Sequence, residues 1–240
     1  MKVEKLKIKK INTLLINFYG IPKRQSPLPD PLDMLIATIL SQNTNDQNSY
    51  KAYKNLRDIY TTWNEILSVS AQKLERQIKV AGLANQKAAA IKNVILTLSK
   101  KDADINLNFI KEMGEEDAIK YLTSMKGVGL KTASCVLLFA LNKNVCPVDT
   151  HVHRTTNRIG IVKEKTPDKT FTILNKKITK NIAHSFHTNL IRLGREICKP
   201  RNPSCGICPL LKICEYDMKN LDRKDVGKKR DFMLLDNVDL

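Results

Sequence analysis

Apolar residues recur at i, i+3, i+4 and i+7 through most of the chain, the period of a helix with one buried face. The pattern predicts helices over 32–40, 50–59, 66–80, 87–98, 117–125, 131–141, 168–182 and 186–197. An amphipathic helix within the first twenty residues precedes them. Proline and glycine break the pattern at Pro27-Leu28-Pro29-Asp30-Pro31, Gly82, Gly114, Gly127, Gly129 and Pro147. No apolar–polar alternation is long enough to pair as strands, and no repeat period stands out. The expected fold class is therefore all-α, with about ten short helices. A boundary is expected near 142–147, where the helix carrying Lys131 ends. Beyond Tyr216 the pattern dissolves, so residues 217–240 read as a basic, flexible tail.

Charge changes the picture. Lys plus Arg number 41 against 24 Asp plus Glu, giving a formal charge of +17 spread along the whole chain. Such an excess favours a polyanion, with phosphate contacts that weaken as salt rises. No apolar run approaches the ~20 residues of a membrane span. Two asparagines and Glu4 interrupt the apolar N-terminal stretch, and no small-residue cleavage site follows, against an export signal. The expected compartment is therefore a reducing cytoplasm, where cysteines serve as thiolates rather than disulfides.

Six cysteines are present, and four of them cluster as C-x6-C-x2-C-x5-C: Cys198, Cys205, Cys208 and Cys214. Four thiolates suit either zinc or a [4Fe-4S] cluster. A single C-x2-C flanked by unequal loops favours the cluster over the paired knuckles common in structural zinc sites. The first loop contains Lys199 and Arg201 between two prolines, a stiff basic segment suited to a phosphate as well as to stapling the fold.

Two further segments carry chemistry. Met125-Lys126-Gly127-Val128-Gly129-Leu130-Lys131 joins two helical stretches. Gly127 and Gly129 can adopt backbone angles closed to other residues and aim N–H groups at an anion. An ordinary interhelical turn would use the same residues, but Lys131, in the first turn of the next helix, adds a reason to expect more. Positive charge there is opposed by the helix dipole and by Lys126, so an amine placed there suits a nucleophile. In Pro147-Val148-Asp149-Thr150-His151-Val152-His153, Asp149 can cap the helix that follows and still act as a rigid carboxylate. His151 and His153 lack a nearby third ligand, so hydrogen-bonding roles are expected for them.

Together these motifs resemble the iron–sulfur type of the helix-hairpin-helix DNA glycosylase superfamily, the endonuclease III family, across roughly 14–216. The resemblance rests on Leu40-Ser41-Gln42-Asn43-Thr44-Asn45-Asp46, Gly82-Leu83, the hairpin at 126–133, the segment 148–154 and the cysteine spacing. It implies a two-lobed helical protein: a helical bundle over 24–143 containing the hairpin, and a cluster domain made of 1–23 with 144–216. It implies Lys131 as nucleophile, Asp149 as catalytic carboxylate, and Cys198, Cys205, Cys208 and Cys214 as ligands of a [4Fe-4S] cluster. Lys126, Gly127, Val128, Gly129, Lys199 and Arg201 would meet phosphates, Leu83 would be an apolar wedge, and Gln42 and Asn43 a polar plug. The expected activity is excision of damaged bases, oxidised pyrimidines above all, from duplex DNA by a monomer, followed by strand cleavage through a Schiff base. Adenine- and thymine-mismatch glycosylases are similar but usually lack a lysine where Lys131 stands. A non-catalytic DNA-binding scaffold is the alternative outside enzymology. The family more often has Gln at the place of Asn43, which bears on the choice of opposite base.

Overall fold

The computed structural model describes residues 2–101, 103–227 and 234–238. Among them are ten α-helices and no strand: α1 (Lys2–Tyr19), α2 (Pro31–Leu40), α3 (Asp46–Ile59), α4 (Ala71–Gln77), α5 (Ala84–Ser99), α6 (Glu115–Thr123), α7 (Leu130–Cys135), α8 (Thr150–Ile159), α9 (Pro167–Lys177) and α10 (Ala183–Glu196). They group into two compact units. Residues 24–143 with 234–238 form one; residues 2–23 with 144–227 form the other.

The first unit is built around α2. Asp30 accepts hydrogen bonds from the Leu32 and Asp33 amides, and Pro31 occupies the first turn, where its missing N–H costs nothing. Nine of the ten α2 residues are buried, which accounts for its near-continuous apolar sequence. Helices α3, α5 and α7 pack around it. The single helix expected over 66–80 is broken into a 310 segment (Trp63–Ser68), α4 and a 310 turn (Lys79–Ala81). Val69 is extended, and the Ser70 hydroxyl accepts from the Lys73 amide, so a local cap overrides the apolar period. The helix expected over 131–141 is α7 followed by a π turn, Val136–Ala140, whose five side chains are all buried.

The second unit packs α1 on α10 and α9, and α10 on α8. Ile8, Ile11 and Leu15 of α1 and Phe186, Leu190 and Leu193 of α10 are fully or almost fully buried. Lys7 pairs with Glu215 at 2.5 Å and Lys177 with Glu4 at 2.7 Å, joining segments remote in sequence. The helix expected to reach 182 stops at Lys177, because Ile178 is extended.

The expectation of a flexible tail after 216 is corrected. The Cys205 amide donates to the Asn220 carbonyl, and the Gly227 amide to that of Glu196, so this segment is tied to the cysteine loop and to the end of α10. Leu234 and Val238 are fully buried, and the 310 turn Leu234–Asp236 packs on α2 and α3. Apolar side chains separated by a basic run found a core to join, and short segments hide that from any period. The basic run 228–230 falls outside the described residues.

Candidate nucleic-acid interface and cysteine loop

The turn between α6 and α7 is shaped by one glycine more than the other. Gly127 has φ +93°, and a Cβ there would lie 2.4 Å from the Cβ of Ala90 on α5. Only glycine fits. Gly129, the N-cap of α7, has φ −89° and ψ 173°, which any residue adopts, and no atom lies within 4 Å of a Cβ built there. Of the two glycines able to adopt such angles, only Gly127 does so, and Gly129 instead leaves open space on the hairpin. Val128 is buried and pins the turn to the core, while its amide donates to the Met125 carbonyl. Lys126 is exposed, and its backbone N–H donates to the side-chain oxygen of Asn93 on α5. Lys131 follows at the second position of α7, half-buried.

Gln42 is brought to this hairpin. Its Nε2 donates to the Thr132 hydroxyl at 3.2 Å and to the Gly127 carbonyl at 3.4 Å. Asn43 beside it is exposed with φ +50°, a left-handed geometry that asparagine tolerates better than most residues. Leu83 is more telling. It is 48 % exposed, at φ +48°, on the turn leading into α5 with Gly82 at φ +68°. An apolar side chain held outward in a left-handed conformation costs about 1–2 kcal/mol of backbone strain.

Sequence reasoning passed over Lys87. It is 2 % exposed, and its Nζ donates to the carbonyls of Leu40 and Ala81, each at 2.8 Å. Burial pushes its ammonium down to about 8. The available signal was a lysine in register with Ile91, Val94 and Leu98 on the apolar face of α5.

In the second unit Asp149 caps α8, its Oδ1 accepting from the Val152 amide at 2.8 Å. The preceding strand of chain is held by the His187 ring, whose Nδ1 lies 2.9 Å from the Pro147 carbonyl. His151 and His153 are hydrogen-bonded side chains: Nδ1 of His151 meets Arg154, and Nδ1 of His153 meets Thr170. Burial lowers the His151 pKa, which keeps its ring neutral beside that arginine.

The cysteine loop is anchored by arginines from α8. Arg154 donates to the carbonyls of Cys198 and Gly194. Arg158 donates to the Lys199 and Pro200 carbonyls, approaches the Cys198 sulfur at 3.5 Å, and stacks 4.2 Å over the Tyr216 ring. Cys205 is buried, and Cys198, Cys208 and Cys214 are half-buried. Burial first, then the other three cysteines, push the Cys208 thiol up to about 12, and burial raises Cys214 as well. Four all-sulfur donors that feel one another electrostatically, with arginine dipoles and backbone carbonyls around them, fit a thiolate-bound cluster. Among the described residues no three His, Cys, Asp or Glu side chains gather closely enough for a single metal ion. Lys199 is half-buried in this loop, and Arg201 is exposed at its tip.

A glycine hairpin bonded by Gln42, an outward Leu83 and a loop of four thiols in a helical framework are the features expected of the helix-hairpin-helix class of DNA-repair proteins. Residues 36–180 match the model of the HhH-GPD superfamily of base excision DNA repair proteins, and residues 198–214 match the iron–sulfur binding domain of endonuclease III. Endonuclease III of Thermotoga maritima is 36% identical over 189 residues, covering 78% of this chain and 84% of its own. A non-covalent endonuclease III–DNA complex superposes with a TM-score of 0.73 at 27% identity, over 88% of this chain and 94% of the other. A trapped endonuclease III–DNA covalent intermediate, an estranged-adenine complex, gives the same TM-score and identity over 88% of this chain and 95% of that one. The chain belongs to the endonuclease III family of HhH-GPD base excision repair glycosylases, and its 198–214 loop binds an iron–sulfur cluster.

Proposed function

We propose that the chain is a bifunctional glycosylase and abasic-site lyase that removes oxidised pyrimidines from duplex DNA, with Lys131 as nucleophile. The observation that carries this is a half-buried lysine in the first turn of α7, directly beyond a hairpin whose open side is kept clear by Gly129. The amides of Gly127 and Gly129, with the Lys126 side chain, hold a phosphate near the lesion, while the Val128 amide is taken by the Met125 carbonyl and shapes the turn; Lys199 and Arg201 hold another stretch of DNA backbone. Leu83 enters the stack as the base leaves it, and Gln42 and Asn43 fill the space opposite.

Lys131 Nζ attacks C1′ of the extruded nucleotide. The C1′–N bond breaks, and the base departs with its electron pair and takes up a proton. Opening of the sugar ring leaves a Schiff base between Nζ and C1′. Loss of a C2′ proton then expels the 3′ phosphate as the C3′–O bond breaks, and water frees the lysine. The capped, rigid Asp149 carboxylate stabilises positive charge on the sugar and accepts the proton from the amine. Cys198, Cys205, Cys208 and Cys214 would hold a [4Fe-4S] cluster, which would fix the basic loop and give the loaded protein a broad absorbance at about 400 nm.

Borohydride trapping on an abasic-site duplex tests this reading. A covalent adduct is expected with the native chain, absent in Lys131→Ala and formed far more slowly in Asp149→Asn. Intact binding of the duplex without any adduct would leave a DNA-binding scaffold instead.

A further inference from the structure

Two loops that the proposed function sends into the duplex leave from helix ends whose carbonyls share one donor. Leu40 closes α2, and Ser41, Gln42 and Asn43 follow it. Ala81 closes the 310 turn, and Gly82 and Leu83 follow it. The last carbonyls of a helix have no partner within the helix, and when buried they need one from elsewhere. Here the Lys87 ammonium supplies both, at 2.8 Å each, with only 2 % of the residue exposed.

We propose that Lys87 is a positioning residue that fixes the separation of the Gln42–Asn43 plug from the Leu83 wedge, so that both enter DNA as one rigid tool. Apolar side chains would fill the same volume at lower desolvation cost, since burial drives this ammonium down to about 8. A lysine retained there serves geometry. Its reach also spans elements remote in sequence: Leu40 is 47 residues from Lys87, whereas Ala81 is six away. Gln42 in turn donates to the hairpin, so the spacing set by Lys87 extends to the Gly127 carbonyl. The inference rests on the reading that Leu83 and Gln42 enter the duplex.

Single-turnover base release from a lesion-containing duplex, with 2-aminopurine fluorescence beside the lesion as the readout of unstacking, tests it in four proteins: Leu83→Ala, Lys87→Met, Lys87→Arg and Lys87→Met/Leu83→Ala. Lys87→Met is expected to slow unstacking and release by about tenfold, the scale of a displacement approaching 1 Å. The double variant should be no slower than Leu83→Ala alone, because Lys87 acts through the wedge. Lys87→Arg keeps charge and donors but alters the distance between the two carbonyls, so it should fold, bind DNA and still show a slowed unstacking step. It carries the test if Lys87→Met fails to fold. Multiplying defects in the double variant, or normal unstacking in Lys87→Arg, would overturn the role of Lys87 while leaving the wedge in place. A Leu83→Ala protein with unchanged unstacking would instead sink the insertion reading itself.

Discussion

Gly127→Ala probes the closest approach in the hairpin. The new Cβ would sit 2.4 Å from the Ala90 Cβ and 3.1 Å from the Ala90 Cα, at a backbone φ of +93°. Two costs separate cleanly. The backbone angle alone costs about 1–2 kcal/mol for an L-residue. Overpacking against a helix that cannot retreat adds about 1–3 kcal/mol, for a total of about 2–5 kcal/mol. Ala90→Gly removes the atom at 2.4 Å at a cost of about 1 kcal/mol for a glycine inside α5. Most of the overpacking component is therefore lost in the double variant, where only the 3.1 Å approach to the residue-90 Cα remains, while the φ component stays. Urea unfolding of the four proteins of this cycle should give a favourable coupling of about 1–3 kcal/mol. A cycle additive within about 0.5 kcal/mol would refute the contact.

Gly129→Ala supplies the contrast, because its φ of −89° and empty surroundings impose no penalty. Its stability should fall by no more than about 1 kcal/mol, because alanine caps α7 less well than glycine while it narrows the unfolded ensemble. Affinity for an abasic duplex, read by anisotropy at fixed salt, should nevertheless fall in both variants. In Gly127→Ala the hairpin moves; in Gly129→Ala a methyl stands where the phosphate approaches. Undiminished DNA binding in a folded Gly129→Ala protein would remove the hairpin from the phosphate contacts.

Three further outcomes are expected. Leu83→Gly should raise stability by up to about 1 kcal/mol by relieving the left-handed backbone, and lower base release in the same protein, measured by urea unfolding and single-turnover kinetics. Leu234→Ala should cost about 2–4 kcal/mol, because the side chain is fully buried against α2 and α3; a flexible tail would show no change in the urea midpoint. Glu4 and Glu215 have pKa values held below the ordinary 4.5 by hydrogen bonds from Lys177 and Lys7. Their folded forms bind fewer protons than the unfolded chain, so the stability they contribute is present above 4.5 and lost as pH falls below it. The Glu4→Gln/Glu215→Gln protein should be less stable than its parent at neutral pH, with the gap closing through the acid limb of a pH-dependent urea series.

Much of this was legible in the residues. The helical period located every α-helix of the first unit with a strong apolar face, and the cysteine spacing marked the loop that the iron–sulfur domain match covers. What escaped were features without a period. The break at Val69 depends on a serine cap, the burial of Leu234 and Val238 on two isolated apolar residues, and the different roles of Gly127 and Gly129 on a tertiary neighbour, Ala90. Lys87 stands in an apolar register, and its sequence alone gives it no role. Only its two carbonyl partners, one of them 47 residues away, explain it.

Two of those features, Lys87 and the close fit of Gly127, trace to α5. Lys87, Ala90 and Asn93 follow one another at i, i+3 and i+6, an oblique row across the helix. Lys87 holds the carbonyls that precede the Gln42 and Leu83 loops, Ala90 sets how closely Gly127 can approach, and the Asn93 side-chain oxygen accepts from the Lys126 amide. Each is small or polar, so none contributes to the apolar signal that defines the helix, yet together they touch all three loops expected to meet DNA in this unit. A loop left to itself would lose conformational entropy when it binds, at about 1–2 kcal/mol per residue ordered. Fixing the loops to one helix removes most of that cost before the duplex arrives, and leaves the binding energy available for extruding the base.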